Sequence, residues 1–193
     1  MSFFLFLASA SPRRAQLLEQ IEVNYQVFPQ DIDETFHTNE NVINFVQRLA
    51  KEKAEQGRKT IARNTDQPVL GADTIVTLEQ HVLGKPKDII EAKNMLQKLS
   101  GKKHQVHTAI CLINRSLDLQ KKETFTSYVT FRELNEQIIE SYFSIVDPLD
   151  KAGAYAMQTK PEMLIKSFEG SRNNIIGLPI EKLAKWFMKF RIN

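Results

Sequence analysis

Apolar residues along the chain follow two patterns, short continuous or alternating runs and stripes with helical spacing. Each pattern predicts its own kind of element. The short runs predict strands at 3–9, 25–28, 69–78, 81–83, 106–113, 123–131 and 164–168, with a further short strand after the loop 147–158. Helical spacing, together with capping and stop residues, predicts helices at 12–20, 41–56, 87–99, 135–143 and 179–190.

The order of these elements favours a mixed α/β sheet of the α+β type over a Rossmann fold. Hairpin-like pairs of strands lie between helices, so the strict alternation of strand and helix is missing. The sequence contains neither G-x-x-x-x-G-K-[ST] nor G-x-G-x-x-G, which excludes the two common nucleotide loops. A length of 193 residues suits one compact domain, or two small lobes that share a core.

The junction of the first strand and the first helix carries the most specific chemical signal. Ser11 is a good helix N-cap, and Pro12 fits the first helical position. Arg13 and Arg14 follow in the first turn, where the helix dipole disfavours cations. An anion bound at the free N–H groups would explain them, which predicts a phosphate site. The alternative is that both arginines point into water. In either case Arg14 opposes the dipole, so its removal is not expected to lower thermal stability.

A carboxylate stands inside the most apolar of the predicted strands. Asp73 lies in the middle of 69–78, and a buried carboxylate is unfavourable unless it meets a metal, a cation or several N–H donors. A metal-holding or base role is the preferred interpretation, and a structural Asp bonded to nearby N–H groups is the alternative. Gly71 beside it would allow a bulge or a close approach of a ligand.

Three weaker signals accompany Asp73. An acidic cluster, 31–34, lies on a polar loop and includes Glu34, which could simply be solvated. The apolar stripe of the second helix, extended by four residues, reaches Lys53, which either extends its ammonium to the surface or points into a cleft. Lys85 lies beside Gly84 in a loop where backbone can approach a ligand closely.

Composition limits the classes of partner. The net charge is only +3 and the basic residues are spread along the chain, which disfavours nucleic-acid binding. The single cysteine, Cys111, lies in an apolar run and is expected to be a buried, inert thiol. One cysteine cannot form an internal disulfide, which fits a reducing compartment.

No apolar segment has the length of a membrane span, and the N-terminal run lacks the charge of a signal peptide. We therefore expect a cytoplasmic protein without a membrane partner.

Together these blocks resemble the Maf family of nucleoside triphosphate pyrophosphatases, the septum-formation-inhibitor family. They follow the family's order over nearly the whole length: Leu7–Arg14, Leu49–Ala54, Gly71–Val76, Gly84–Asp88, Leu99–Lys102, Asp150–Tyr155 and Gly170–Pro179. The resemblance implies hydrolysis between the α and β phosphates, a divalent metal (Mg²⁺ or Mn²⁺), and an inosine-triphosphatase-like fold. That fold has an elongated mixed sheet, flanking helices and two lobes around a cleft, in one domain over 1–193.

The resemblance also implies roles for individual residues. Asp73 matches the family's proposed catalytic acid/base position, and Glu34 and Asp73 can hold the metal. Positions that the family uses for substrate, phosphate or metal fall on Ser9, Arg14, Glu34, Lys53, Lys85 and Gln158. The cations Arg13, Arg14, Lys53 and Lys85 can face the charge of a triphosphate. The oligomeric state stays open, a homodimer included.

The segment 150–158 is similar to the branch of the family that acts on dTTP and UTP. In that branch Arg13, Thr74 and Gln158 match positions tied to base selection. A carboxamide both donates and accepts hydrogen bonds, which suits the O4/N3–H edge of thymine or uracil. Thr159 stands where the family usually has Gly, which leaves the shape of this loop open.

Two further functions remain as alternatives. A nucleotide-binding regulator of cell division, with incidental hydrolysis, would need the cations but has little use for Asp73. A single-stranded nucleic-acid binder is disfavoured, because the twelve Phe residues lie mostly in apolar runs expected to be core. The leading prediction is a dTTP/UTP pyrophosphatase that removes standard or modified pyrimidine triphosphates.

Overall fold

The computed structural model describes residues 4–38, 40–61, 67–79 and 81–190, and all structural statements concern these ranges. The strands there are β1 Leu5–Ala8, β2 Tyr25–Val27, β3 Val69–Leu78, β4 His81–Leu83, β5 Lys103–Asn114, β6 Leu119–Phe131 and β7 Ile165–Glu169. The helices are α1 Pro12–Glu19, α2 Val42–Thr60, α3 Ile89–Leu99, α4 Glu136–Phe143, α5 Pro161–Leu164, α6 Arg172–Ile176 and α7 Ile180–Phe190.

The strands form one mixed sheet, which confirms the predicted fold class. Its order is β2-β1-β3-β5-β6-β7, and β4 pairs with β3 outside this path. β1 runs parallel to both β2 and β3, whereas β4 is antiparallel to β3 and β7 is antiparallel to β6. None of the helices in the described ranges is long and apolar enough to cross a membrane.

The chain divides into two compact units, and β3, β5 and β6 contribute to both. The first unit consists of Met1–Asp73, Thr108–Phe125 and Gly177–Asn193. It buries the apolar side of β1 and β3 under α2, with Leu7, Leu49 and Leu70 nearly inaccessible. Cys111 is buried here as predicted, and burial raises the pKa of its thiol to about 12, so it stays protonated at neutral pH.

The second unit consists of Thr74–His107 and Thr126–Ile176. A cluster of three rings lies in its core, in which His104 and Phe131 each contact Tyr155 edge to face. Nε2 of His104 and the hydroxyl of Tyr155 lie 2.9 Å apart in a hydrogen bond. Burial lowers the pKa of His104 to about 4, so this histidine is a neutral core residue.

Most element positions agree with the sequence prediction, and the differences have local causes. The predicted loop after 56 is helical to Thr60, because Gly57 is a point of close packing rather than a helix stop. A Cβ on Gly57 would lie 3.0 Å from Val69 and 3.3 Å from Ala8. The short strand expected after 158 is absent from the described residues, and α5 occupies that position, beginning at Pro161.

Candidate functional site

Parallel pairing places two of the predicted site residues at nearly the same level of the neighbouring strands β1 and β3. In the register of β1 and β3, Ala8 lies opposite Gly71. Ser9 follows Ala8 directly, and Asp73 comes two residues after Gly71. Ligand sites of α/β sheets commonly lie beyond the carboxyl ends of parallel strands. Ser9 and Asp73 therefore both lie just beyond the carboxyl end of β1, where a ligand can bind, although Asp73 itself is in the middle of β3.

Close packing of α2 on β3 fixes the distance between the helix and Asp73. A Cβ on Gly71 would lie 2.1 Å from the carbonyl oxygen of Ala50 and 2.6 Å from the backbone nitrogen of Ala54. Only glycine permits this approach of helix backbone to strand. The sequence analysis predicted a bulge or a close ligand at Gly71, whereas in the structure the backbone of α2 packs against it. The apolar face of α2 points toward the strand, and Lys53 lies on that face.

Lys53 bridges two carboxylates at the centre of the site. Its Nζ lies 2.7 Å from Oδ1 of Asp73 and 2.6 Å from Oε1 of Glu34. Lys53 and Asp73 are each 8% exposed, whereas the side chain of Glu34 is 50% exposed. The pair with Asp73 is therefore shielded from water, and the pair with Glu34 is screened by it. Of the two alternatives for Lys53, extension of the ammonium to the surface is wrong, because the ammonium is buried against Asp73.

Arg14 is a second buried cation in this unit. It is 8% exposed; its Nη1 donates to Oγ of Ser9 at 2.8 Å and its Nε donates to the carbonyl of Gly177 at 2.9 Å. Burial lowers the pKa of the Arg14 guanidinium below its ordinary value, and the nearby carboxylates of Asp73 and Glu34 oppose that shift. The alternative that both arginines point into water is wrong for Arg14, and Arg13 is half-buried.

The start of α1 is held by Ser9 rather than by its N-cap side chain. Ser11 is the N-cap residue, as predicted, but its side chain makes no capping hydrogen bond. Instead, Oγ of Ser9 accepts the backbone N–H of Ser11 at 3.2 Å and also accepts the Arg14 guanidinium. Ser9 thus connects the end of β1, the N-terminus of α1 and the buried Arg14.

The loop that carries Glu34 is fixed by a residue that the sequence analysis did not single out. Arg48 on α2 donates through Nη2 to the carbonyl of Thr35 at 2.8 Å and through Nε to Glu40 at 3.0 Å. On the other side of Glu34, Oδ1 of Asp33 accepts the N–H of Thr35 at 2.9 Å. Arg48 and Asp33 therefore anchor the backbone of Thr35, the residue that follows Glu34. The sequence offered one signal for Arg48, its i,i+4 spacing to Glu52, which predicts an ion pair along the helix.

The structure brings together some of the predicted residues and leaves others in the second unit. The residues assembled in the first unit are Ser9, Arg14, Glu34, Lys53 and Asp73. The residues that belong to the second unit are Thr74, Lys85 and Gln158. Of these, Lys85 is exposed, whereas Thr74 and Gln158 are half-buried.

Glu34 and Asp73 are the residues of the site that could hold a metal. Their carboxylate oxygens converge on one cation, the Lys53 ammonium, so the donor set suits a positive charge. Mg²⁺ and Mn²⁺ prefer oxygen ligands, and Mg²⁺ in particular is commonly held by one or two carboxylates plus substrate phosphates. The described residues contain no group of three or more His, Cys, Asp or Glu arranged to hold an ion. The residues present therefore fit a metal that shares its ligands with a phosphate.

The buried contacts of Arg14 change the expectation for its removal. We now expect Arg14→Ala to lower the free energy of unfolding by about 1–3 kcal/mol, since the Gly177 carbonyl and the Ser9 hydroxyl lose their donor. Urea unfolding of the metal-free protein measures this change. Arg13→Ala is the matched control, one residue away and half-buried. A midpoint for Arg14→Ala equal to the wild-type midpoint would contradict the structural role.

Comparison with known proteins adds the family context. The family model described as Maf-like protein matches residues 4–190. Proteins named dTTP/UTP pyrophosphatase from Bacillus cereus and Bacillus anthracis are each 40% identical to this chain, with 98% of this chain and 96% of the relative covered. Among solved structures, a dITP/XTP pyrophosphatase from Mycobacterium abscessus aligns over 98% of this chain and 96% of its own, with a TM-score of 0.45 and 15% identity. The Staphylococcus aureus Ham1 protein aligns over 96% of this chain and 98% of its own, with a TM-score of 0.47 and 16% identity.

Proposed function

Because the chain belongs to the Maf-like protein family, we propose that it hydrolyses dTTP and UTP to the nucleoside monophosphate and pyrophosphate. The observation that carries the proposal is the cluster of Glu34, Lys53 and Asp73 beside the buried Arg14. Two cations suit a polyphosphate, and two carboxylates suit a divalent metal and a proton transfer. A regulator that only binds nucleotides would need the cations, and nothing in the described residues favours it.

In the proposed reaction, the oxygen of a water molecule bonds to the α-phosphorus. The bond between that phosphorus and the α–β bridging oxygen breaks, and pyrophosphate leaves with the electron pair. Asp73 lies in the acid/base position of the family motif and would accept the proton that the water loses. Mg²⁺ or Mn²⁺, held by Glu34 and Asp73, would polarise the phosphoryl group and lower the pKa of water.

The cations of the site would bind and orient the triphosphate. Arg14 is held rigidly by Ser9 and Gly177, so its guanidinium is pre-organised for a phosphate group. Lys53 carries its charge on a flexible stem and can follow the phosphates. Lys85 is exposed in the second unit and is proposed as a further phosphate ligand.

A single domain over 1–193 and a cytoplasmic location belong to the same proposal, and a homodimer stays a prediction. The proposal requires neither nucleic acid nor a membrane as a partner.

Product analysis over a panel of substrates tests the proposed function. Purified protein is incubated with dTTP, UTP, dCTP, ATP, GTP and 7-methyl-GTP, each with Mg²⁺, with Mn²⁺ or with EDTA. Phosphorus NMR distinguishes pyrophosphate from orthophosphate. We expect pyrophosphate from dTTP and UTP in the presence of metal and none in EDTA. Orthophosphate as the first product, or a preference for 7-methyl-GTP, would overturn the proposal.

A rigid segment of the second unit leads to Gln158, which supports its proposed role in base selection. Tyr155 is buried and hydrogen-bonded to His104 at 2.9 Å. The backbone N–H of Ala156 donates to the hydroxyl of Tyr142, also at 2.9 Å. Gln158 follows two residues later and is half-buried. These contacts hold the chain just before Gln158, and the carboxamide, which both donates and accepts hydrogen bonds, is proposed to pair with the base edge.

We expect Gln158→Glu to lower kcat/KM for dTTP and UTP while changing the low values for ATP and GTP little. The substitution removes the donor and adds a charge opposite the pyrimidine edge, and broken hydrogen-bond pairing discriminates strongly. Steady-state kinetics with the four triphosphates measure the effect. Gln97→Glu, exposed on α3, is the matched control. Equal losses for all four substrates would mean that Gln158 shapes the loop and does not contact the base.

A further inference from the structure

An ammonium group occupies the place between the two carboxylates that are proposed to hold the metal. Nζ of Lys53 is in close ionic contact with both Glu34 and Asp73, at 2.6 and 2.7 Å. Nitrogen–oxygen distances this short are typical of charge-assisted hydrogen bonds. A dication that binds the same oxygens has to displace this ammonium or remain beside it. The contact between Lys53 and the two carboxylates therefore opposes the entry of a metal ion into the site.

We propose that Lys53 is a built-in competitor that keeps free divalent metal out of the site until a triphosphate arrives. The inference rests on the proposed function, because it assumes that the substrate of this site is a triphosphate. Without a triphosphate, Lys53 pairs with both Glu34 and Asp73, and Arg14 supplies the second positive charge nearby. When the triphosphate binds, the phosphates attract the ammonium away from the carboxylates, and the metal takes its place.

The charges of the described cluster support this order of events. Lys53 and Arg14 carry two positive charges, and Glu34 and Asp73 carry two negative charges. A dication added alone would leave two uncompensated positive charges beside the buried cations Lys53 and Arg14, and water at the half-exposed Glu34 screens only part of that repulsion. A triphosphate brings several negative charges with the metal and removes that excess.

The two carboxylates also fall short of a complete set of metal ligands. Mg²⁺ requires octahedral coordination, and protein sites with one or two carboxylates usually complete it with substrate phosphates and water. Packing at Gly71 fixes the backbone of α2 against β3, so Lys53 always starts close to Asp73. The flexible stem of a lysine leaves the ammonium free to turn toward a phosphate. Backbone rigidity and side-chain flexibility together allow the exchange.

Binding of Mn²⁺ alone, without nucleotide, tests the competition directly. The Mn²⁺ affinity of full-length wild-type protein is compared with that of Lys53→Met by electron paramagnetic resonance of free Mn²⁺. Removing the competing ammonium should tighten binding at least about tenfold, because like charges a few ångströms apart repel strongly near a protein surface. Lys51→Met is the matched control, since Lys51 lies on the same helix, is 41% exposed and pairs with Glu55 at 3.4 Å. It should bind Mn²⁺ like the wild type.

Two further variants locate the bound ion. Lys53→Gln, which removes the charge but keeps a polar side chain, should also gain affinity. Adding Asp73→Asn to Lys53→Met should abolish the gain, because the ion loses one of its two carboxylates. The proposal is overturned if the Lys53 variants bind Mn²⁺ no more tightly than the wild type, or if the gain survives in the double variant.

Wild-type protein decides the case if the Lys53 variants do not fold. Mn²⁺ alone should then bind the wild type no more tightly than it binds Asp73→Asn, because Lys53 keeps the ion away from Asp73, and tighter binding to the wild type overturns the proposal. The pyrophosphate assay separates this inference from the function. Pyrophosphate release without any gain in the Lys53 variants rejects the competition alone. A lack of pyrophosphate release from every triphosphate rejects the function, whatever the Mn²⁺ affinities are.

Discussion

Asp73→Asn should lower kcat for dTTP by about 10²–10⁴-fold, the usual loss when a group that transfers a proton is removed. The substitution keeps the shape of the side chain and removes its charge. An amide oxygen can still accept the hydrogen bond from Lys53, which is 2.7 Å away, so the fold should survive. Both proposed roles, proton acceptor and metal ligand, need the charge. The change is measured as the initial rate of pyrophosphate release at saturating dTTP.

The control for this experiment is Asp118→Asn, an exposed aspartate with a φ of 45°, a conformation that Asn also tolerates. It makes the same chemical change elsewhere in the first unit and should retain full activity. Thermal unfolding of both variants shows whether they fold. A folded Asp73→Asn protein with wild-type turnover would show that Asp73 has neither role.

Gly71→Ala should lower the free energy of unfolding by about 3 kcal/mol or more, the upper end of the range for overpacking. The added Cβ would meet backbone atoms of Ala50 and Ala54 on α2, and backbone cannot turn aside as a side chain can. The helix would have to move away from β3, which would also separate Lys53 from Asp73. We expect a melting temperature lower by roughly 10 °C, because 1 kcal/mol corresponds to about 2–4 °C at this chain length.

Gly84→Ala is the matched control for stability. A Cβ on Gly84 meets no heavy atom within 4 Å, so the same substitution should leave the melting temperature nearly unchanged. Differential scanning calorimetry in EDTA compares the two variants without any contribution from metal binding. Equal melting temperatures would show that the helix and the strand are not in the close contact described.

The spacing of apolar residues identified Lys53 and Asp73 from the sequence, because each lies within a regular apolar pattern, one helical and one of a strand. The stripe of α2 pointed to Lys53, and the strand 69–78 isolated Asp73 as a charge among apolar residues. Both side chains are buried, which the strand pattern predicted for Asp73 and the helix pattern left open for Lys53. The limits of β3 and β4 also agree with the prediction of strands at 69–78 and 81–83.

Contacts between residues far apart in sequence could not be predicted from local patterns. Gly177, the partner of Arg14, is 163 residues away along the chain. Arg14 binds its backbone carbonyl, which every residue type has, so the residue type at 177 gives no indication of the contact. The helix dipole alone therefore led to an expectation for Arg14 that its buried contacts now reverse. The role of Gly71 was missed for the same reason, because a close approach is set by the element that packs on it. The helices α5 and α6 have four and five residues, too few to show a helical period.

The position of the solvent oxygen in the products tests the central claim most directly. Wild-type protein hydrolyses dTTP in ¹⁸O-labelled water with Mg²⁺, and mass spectrometry locates the label. Attack on the α-phosphorus predicts one labelled oxygen in dTMP and unlabelled pyrophosphate. Label in pyrophosphate would place the attack on the β-phosphorus, and labelled orthophosphate would show cleavage at the γ-phosphate, either of which would contradict the proposed reaction.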